Sequence, residues 1–366
     1  MPASNIPFHC LTVAVAAALV FQLPTSNAFS SSANTLQHSR FAAISTTTAL
    51  HYQTASPKLD SSEGKAAATI SHFRPMPNTC ATTVGQLPWL KNDQDNQDNN
   101  VFLSHWNWQL EYFEQHLTNL RVNPDFVQED LMYVDTAEQS SSSDSDLQEQ
   151  RIFTVSLQSD EYRDIRMTYL HCGDNAQIFR CTCYPRNDMP ILGMGMMQFA
   201  GGVRNVAIVD FQPLLDDDED TNGQQALYTS TLEAIRASAH SSLQQPMSDR
   251  HFDPTQRKYF TANPIIGKWG NAEHDANELS QLNAELHSVH QACVRAHVQL
   301  TQATVECPTP MSSLPDAYVQ QLHSDYDTFV AAKEPASQLL KSAFGKDTAE
   351  RLVHDVIFPL SSSNQQ

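Results

Sequence analysis

Residues 176–185 read AQIFRCTCYP and residues 205–214 read NVAIVDFQPL, and both runs are rich in apolar and β-branched side chains. The segment between them, residues 186–204, reads RNDMPILGMGMMQFAGGVR. Short apolar runs that Pro and Gly residues bound are typical of buried strands. The stretch therefore predicts the middle of a β-sheet, which the rest of the chain covers.

Two more strands are predicted upstream of this stretch. Residues 150–158 read QRIFTVSLQ, and residues 161–173 read EYRDIRMTYLHCG, in which polar and apolar side chains alternate. Because successive side chains of a strand point to opposite faces, Asp164 and Arg166 are expected on one face and Ile165 and Met167 on the other.

Cys181 and Cys183 also share one face by this alternation. A Cys-x-Cys pair can form half of a thiolate metal site, but such sites usually bring a second pair at comparable spacing. The chain has no second pair of this kind, so the sequence favours two buried free thiols.

The glycines of residues 193–202, GMGMMQFAGG, do not form a dinucleotide-binding fingerprint, because the third glycine is missing from its required step and no helix pattern follows. A hairpin or bulge with close backbone approach is predicted there instead. Asp210 is the acid of the apolar run VAIVDFQPL, and burial would raise the pKa of an unpaired carboxyl. Two roles stay open for it, a buried acceptor for backbone donors and a catalytic acid.

Helices are predicted on both sides of these strands. Residues 104–122 place Trp106, Leu110 and Phe113 at steps of three and four residues, which indicates an amphipathic helix covering the sheet. Residues 277–303 form a long helix, and residues 316–360 form two or three, with a glycine just past the end of one of them.

His290, Cys293 and His297 lie on one face of the long helix at spacings that could hold zinc. No carboxylate or fourth ligand stands at the expected spacing. The sequence therefore favours a chain without a metal site.

The charge balance limits the classes of partner. The 366 residues contain 22 Lys and Arg against 41 Asp and Glu, a net charge of −19, which argues against nucleic-acid binding. Arg250, Arg257, Lys258 and Lys268 offer a local basic patch for an acidic partner, and the alternative is a solvated loop with chance charges.

The N-terminal part has the composition of a targeting sequence. An apolar run at residues 11–23 is shorter than the ~20 residues of a membrane-spanning helix, and no acidic residue precedes Asp60. We expect a signal peptide at 1–28, a transit peptide and linker at 29–80, and one domain at 81–366. This arrangement resembles the bipartite presequences of algae with secondary plastids. The alternative is a secretory signal with a disordered linker, for which disulfides would be expected.

Five motifs occur in one order: the strand ending in Tyr-Pro at residue 185, MPILGMG, VDFQPL, YFTANPIIGKW, and KEPASQLLKSAFG followed by VIFPL. Over residues 87–360 the chain resembles the ferredoxin-dependent bilin reductases. The resemblance implies an α/β fold, a three-layer α/β/α sandwich with a central antiparallel sheet. It also implies a U-shaped tetrapyrrole between the sheet and the C-terminal helices. In that family no metal or flavin is used, and reduced ferredoxin supplies electrons one at a time.

The resemblance also implies the site residues. Glu334 stands where the family usually has an aspartate that protonates or hydrogen-bonds the bilin, and Gly195 stands where a second acid or amide is common. Gln177 and Asp174 are the nearest polar substitutes for that second group. Glu334, Gln177 and Asp210 are thus the predicted catalytic residues.

Two cations are the predicted substrate-binding residues. Lys268 falls where members of the family use an arginine for a bilin propionate, and Arg166 falls near a histidine of phycocyanobilin synthases. No equivalent of the extra glutamate of those synthases is present, so a two-electron reduction of biliverdin IXα or 15,16-dihydrobiliverdin is expected.

The expected partners are ferredoxin, the bilin and, for substrate transfer, a second bilin reductase, with the chain acting as a monomer in the plastid. Because the acids differ from the family pattern, the alternative function is a bilin-binding protein on the same scaffold without turnover. A wholly structural protein is a third reading.

Overall fold

Residues 176–214 form three adjacent strands of one sheet in the computed structural model. The structure describes residues 69–70, 81–91, 100–126, 131–136, 150–215, 224–247, 259–271, 273–306, 314–334 and 336–361. Nine strands lie in these ranges: β1 (Thr69–Ile70), β2 (Arg121–Val122), β3 (Tyr133–Asp135), β4 (Arg151–Gln158), β5 (Tyr162–Cys172), β6 (Ala176–Pro185), β7 (Ile191–Phe199), β8 (Arg204–Gln212) and β9 (Ile265–Trp269).

All neighbouring strands run antiparallel, in the order β1-β3-β4-β5-β6-β7-β8-β9, and β2 also pairs with β4. The hairpin predicted for residues 193–202 is confirmed, because β7 ends at Phe199, a turn follows, and β8 returns antiparallel to β7. Leu192, Met194 and Met196 alternate with glycines and are buried on one face, which is a strand pattern. Residues 191–199 are thus the first strand of this hairpin.

The described helices are α1 (Ala81–Val84), α2 (Leu103–His116), α3 (Gln224–Ser238), α4 (Ala276–Glu306), α5 (Asp316–Ala331), α6 (Ser337–Phe344) and α7 (Lys346–Arg351), followed by a π-helical segment (Leu352–Ile357). The amphipathic helix, the long helix and the C-terminal helices predicted from the sequence are confirmed. Gly345 ends α6 with φ of 82°, a backbone conformation that glycine adopts without steric cost. Among these helices, none has both the length and the apolar character needed to cross a membrane.

The helices cover the sheet from both faces. Trp106 of α2 and Cys293 of α4 pack with Phe179 and Cys181 of β6 in one core. The other face of β6 packs in a second core with α5, to which Tyr326 belongs. The α/β fold with a central antiparallel sheet and a helical layer on either side is confirmed.

Cys181 and Cys183 are buried free thiols on one face, as predicted, and their sulfur atoms lie 3.5 Å apart. Trp89, which precedes the amphipathic helix in the sequence, is buried against the sheet. The folded core therefore includes residues that come before this helix. Strand β1 falls inside the range predicted as transit peptide and linker. The signal peptide, most of that linker and the basic residues Arg250, Arg257 and Lys258 lie outside the described residues.

Candidate active site

The face of the sheet that packs on α5, α6 and α7 has a polar centre. The strand register aligns two rows of residues across β4 to β8, because each residue pairs directly with the next one in its row. The rows are Ser156–Arg166–Thr182–Gly193–Asp210 and Thr154–Thr168–Arg180–Gly195–Ile208. Two glycines and two arginines thus meet at the middle of an otherwise apolar layer, which is a common composition for a ligand site.

Gly193 leaves room for the side chain of a residue on the next strand. A Cβ atom built there would lie 2.3 Å from the Oε1 atom of Gln212, well inside van der Waals contact. That oxygen accepts a hydrogen bond of 2.5 Å from the hydroxyl of Tyr326 on α5. The glycine therefore lets the sheet and α5 approach closely beside the polar rows.

Arg180 and Glu334 form a buried ion pair at this centre. The Nη1 atom of Arg180 donates to Oε2 of Glu334 over 2.7 Å, and both side chains are less than a tenth exposed. Oε1 of Glu334 accepts from the backbone N–H of Ala336 over 3.0 Å, which fixes the carboxylate at the start of α6. The guanidinium also lies 4.3 Å from the ring centre of Phe358.

The free donors of Arg180 are the chemically useful atoms of this pair. Its Nε and Nη2 atoms are buried and have no hydrogen-bond partner. A buried donor without a partner costs about 1–3 kcal/mol, so a ligand with a carboxylate or carbonyl oxygen would be favoured here.

A cavity of about 40 Å³ lies between this pair and the sheet. Thr168 and Gly195 also line it. Its remaining walls are mainly apolar: Ile152, Leu170, Ile178, Met197, Leu340 and Ile357. An apolar pocket with one charged pair suits a ligand that is largely conjugated hydrocarbon and carries a few polar groups.

Arg166 belongs to a second buried network on the same face. Its Nε atom donates to Asp164 over 2.5 Å, and its Nη1 atom donates to the backbone oxygen of Ile357 over 2.6 Å and contacts Asp327 over 3.3 Å. Asp327 also accepts from the hydroxyl of Tyr184 over 2.6 Å. Burial raises the pKa of Asp327, and the Arg166 guanidinium opposes that shift. The predicted substrate-binding residue is therefore held by protein groups at two of its three nitrogens, and Nη2 has no partner.

Arg180, Asp327 and His323 are residues that sequence reasoning missed. His323 is fully buried, neither of its ring nitrogens has a hydrogen-bond partner, and burial lowers its pKa to about 3. A signal for both α5 residues is present in the sequence, since Val319 and Tyr326 mark the inward face and positions 323 and 327 fall on it. Arg180 has a similar signal, because it alternates with apolar Ile178 on a buried strand.

Asp210 lies at the end of the first polar row and is fully buried. Its Oδ2 atom accepts from the backbone N–H of Thr261 over 3.0 Å, and its Oδ1 atom accepts from the Thr261 hydroxyl over 2.5 Å. Burial raises the pKa of Asp210 to about 7, although these hydrogen bonds act in the opposite direction. It faces the C-terminal helices, and both roles that the sequence left open are compatible with this position.

Asp210→Asn is expected to remove a loss of stability that the wild type undergoes as pH rises from about 4 to about 7. Because the pKa of Asp210 rises from 3.8 to about 7 on folding, its stabilising contribution is complete below pH 3.8 and is lost as pH rises through about 7. The loss in the wild type is roughly 4 kcal/mol at most. The measurement is the free energy of unfolding of the wild type and of the variant between pH 4 and 8. The buried histidines change this free energy in the opposite direction, but they do so in both proteins, so their effect cancels in the difference between the two. Parallel curves would contradict the prediction.

Gln177 lies on the other face of the sheet from Arg180 and Glu334, because its position along the regular strand differs from that of Arg180 by three, an odd number. Its Oε1 atom accepts from the backbone N–H of Val101 over 3.1 Å and from the Tyr169 hydroxyl over 3.0 Å. The grouping of Gln177 with Glu334 as catalytic residues is corrected in this respect, since the two side chains lie on opposite faces of the sheet. The catalytic role given to it stays a prediction that its position does not support.

Lys268 lies on the edge strand β9, opposite Val206, with its side chain exposed. The register continues from Val206 to Met197, which lines the cavity, so Lys268 lies on the same face of the sheet as the cavity, two strands away from Met197. Partial burial lowers its pKa. Lys268 does not itself line the cavity, and its substrate-binding role stays a prediction.

His290, Cys293 and His297 do lie along one face of α4, but they do not converge. His297 is held by the Tyr162 hydroxyl over 2.8 Å and by the backbone oxygen of Pro190 over 2.9 Å. His290 bonds to Gln109 of α2. The zinc set that this spacing suggested is therefore not assembled.

Comparisons with known proteins agree with this architecture. A family model described as ferredoxin-dependent bilin reductase matches residues 94–359. The 15,16-dihydrobiliverdin:ferredoxin oxidoreductase of Prochlorococcus marinus (strain NATL1A) is 31% identical over 205 residues, which are 56% of this chain and 79% of the relative. The protein of that name from Nostoc punctiforme is 29% identical over 203 residues, 55% of this chain and 75% of the relative.

A solved structure has a similar fold. Phytochromobilin synthase from tomato, crystallised in complex with biliverdin, superposes with a TM-score of 0.53 and 16% identity. The match covers 71% of this chain and 83% of that one. The two proteins therefore share the fold.

Proposed function

The chain belongs to the ferredoxin-dependent bilin reductase family, and we propose that it reduces biliverdin to 15,16-dihydrobiliverdin in the pocket beside Arg180 and Glu334. As a member of that family it is an oxidoreductase that takes electrons from ferredoxin and acts on a linear tetrapyrrole. The choice of bilin pair rests on the names of the relatives. The observation that carries the choice of site is the buried ion pair whose free donors face an apolar cavity.

The reaction adds two electrons and two protons to one double bond of the bilin. Two reduced ferredoxins each give up one electron and leave oxidised, and the protons come from side chains or water. Glu334 is positioned to deliver or relay a proton because its carboxylate lies on the cavity wall. Asp210 is the second candidate, since its pKa of about 7 leaves it partly protonated near neutral pH.

The polar ends of the bilin have matching groups at the site. The unpartnered Nε and Nη2 atoms of Arg180 and Nη2 of Arg166 can donate to propionate or lactam oxygens. Lys268, on the same face of the sheet as the cavity, can bind a second propionate. The apolar walls then cover the conjugated rings and exclude water from the reacting carbon.

Binding requires the C-terminal helices to move away from the sheet. A volume of about 40 Å³ is far below the ~300–1,000 Å³ of usual ligand pockets. Glu334 lies in the connection between α5 and α6. A change in the backbone conformation of this connection would move α6 and widen the cavity while the sheet stays in place. We therefore place the movement in α6 and α7.

The cellular setting is part of the same proposal. The acid-poor N-terminal sequence with its apolar run supports import into a secondary plastid. We propose a monomer without a tightly bound redox cofactor, which fits a sequence with no dinucleotide fingerprint. Ferredoxin would dock near Arg250, Arg257 and Lys258, and a second bilin reductase would receive the product.

An anaerobic assay tests the function. Purified mature protein, reduced ferredoxin and biliverdin are expected to give one product that carries two additional hydrogens. Absorption spectra and chromatography detect this product. The same assay with 15,16-dihydrobiliverdin is the control for the choice of substrate. Consumption of dihydrobiliverdin alone would contradict the proposed pair. Tight binding of both bilins without a product would favour the bilin-binding alternative that the ion-paired Glu334 and the missing acid at Gly195 suggest.

A further inference from the structure

Three histidines from two helices meet on the face of the sheet opposite the Arg180–Glu334 pair. His105 belongs to α2, and His287 and His290 lie one turn apart on α4. One ring nitrogen from each lies within 4.8 Å of the other two, and the ring centre of His105 is 4.6 Å from that of His287 and 5.2 Å from that of His290.

Each ring presents a buried nitrogen that has no hydrogen-bond partner: Nε2 of His105, Nδ1 of His287 and Nδ1 of His290. His105 and His290 are more than nine-tenths buried, so water does not compensate these atoms freely. A neutral imidazole nitrogen with a free lone pair is a strong ligand for transition-metal ions. Nδ1 of His290 offers such a lone pair. Nδ1 of His287 carries the proton of its ring, because Nε2 of His287 accepts from the amide nitrogen of Gln291 over 2.7 Å, so metal binding at His287 requires a change of tautomer.

The opposite nitrogens are held by neighbouring groups. Nε2 of His290 donates to Oε1 of Gln109 over 2.9 Å, and the amide nitrogen of Gln109 in turn contacts the sulfur of Cys181 over 3.1 Å. With the proton on Nε2, Nδ1 of His290 keeps its lone pair. Metal-binding histidines usually have such an outer partner, which fixes the tautomer and the ring orientation.

One positive side chain lies near this cluster and opposes the binding of a cation. This side chain is Arg295. Its guanidinium donates to Gln291, which in turn contacts Nε2 of His287, so the positive charge lies close to the cluster.

We propose that His105, His287 and His290 bind one divalent transition-metal ion, with Zn²⁺ as the favoured ion and water as the fourth ligand. Three histidines with an open position are a frequent zinc ligand set. Zn–N distances near 2.0–2.1 Å place ligand nitrogens about 3.3 Å apart, so the site contracts from its present spacing. His287 is only half-buried and can make that movement.

The ion would join α2 to α4 and thereby brace the helical layer that lies away from the bilin. This differs from the expectation of a chain without a metal site. It does not depend on the proposed bilin reaction, because the cluster and the Arg180–Glu334 pair lie in different layers.

Titration of the full mature chain with Zn²⁺ against a chromophoric chelator tests the proposal, after metal has been removed with EDTA. One ion per chain is expected to bind, and Co²⁺ is expected to give the visible absorption of a four-coordinate site. At Zn²⁺ about 100 times the Kd, the unfolding equilibrium constant should fall roughly 100-fold, seen as a higher Tm.

Variants locate the ion. His287→Gln at the half-buried position and His105→Asn in the core are each expected to weaken binding by roughly 100-fold or more and to remove the Tm rise. His116→Gln is the matched control on α2, because Nδ1 of His116 donates to the backbone oxygen of Tyr112 and lies outside the cluster. Arg295→Gln should tighten binding by removing the opposing charge. If the wild type binds no stoichiometric Zn²⁺, or if His287→Gln binds it as tightly as the wild type, the proposal is overturned.

Discussion

Glu334→Gln is expected to slow bilin reduction by roughly 100-fold or more while bilin affinity changes only a few-fold. The amide keeps the size of the side chain, so the shape of the cavity wall is largely retained. Its one oxygen can accept from Arg180 or from the N–H of Ala336 but not from both, because these donors bond to different oxygens of the carboxylate. It cannot deliver a proton to the bilin. Rate and affinity therefore separate, which a purely structural role of the glutamate would not produce.

The measurement is a single-turnover reaction with reduced ferredoxin, beside a bilin titration of the same preparation. Glu334→Asp keeps the acid and shortens the side chain by one methylene, so it should retain part of the rate. Glu161→Gln is the matched control, because Glu161 is also buried but accepts from the N–H of Thr118 at another part of the sheet. If Glu334→Gln reduces bilin at the same rate as Glu161→Gln, the Glu334 carboxyl does not take part in proton delivery.

The sheet was predictable from the sequence because alternation is a local property. The apolar runs of β6 and β8 and the alternating pattern of β5 each fix which side chains share a face. The hairpin of β7 and β8 was predictable as well, but the reason for Gly193 was not. The side chain of Gln212 from the next strand fills the space beside Gly193, and that contact is not visible in the local pattern.

The site was less predictable because its contacts join distant parts of the chain. Arg180 and Glu334 are 154 residues apart, and neither residue type alone indicates the other. The family resemblance predicted Glu334 as a site residue. Its ion pair with Arg180 could not be predicted, because it depends on the strand register and on the position of α6. Gln177 illustrates the sensitivity, since a shift of one residue along β6 changes the face to which a side chain points.

The histidine cluster shows the same limit. The spacing of His290, Cys293 and His297 on one helix suggested ligands for zinc, but those residues bond elsewhere. The third member of the observed cluster comes from α2, which helix periodicity within α4 cannot reveal. Spacing along one helix thus pointed to His290 but not to His105, which lies beside it on another helix.

Arg180→Leu is expected to lower the free energy of unfolding by about 3–5 kcal/mol in the absence of bilin, because it leaves the Glu334 carboxylate buried without its partner. For a domain of this size the Tm should fall by roughly 10 °C. Denaturant unfolding and thermal melting of the same protein measure both quantities. Arg163→Leu is the matched control, since Arg163 pairs with Asp316, whose side chain is 71% exposed, and such a pair contributes about 1 kcal/mol or less.

The double variant Arg180→Leu/Glu334→Leu separates the energy of the pair from its use in catalysis. Replacing both charges by apolar side chains removes the unpaired carboxylate, so most of the lost stability should return. Bilin reduction should stay as low as in the single variants, because neither the donors for the bilin oxygens nor the acid is restored. A double variant no more stable than Arg180→Leu would show that the two charges are not coupled. A double variant that still reduces bilin would place the reaction outside this pocket.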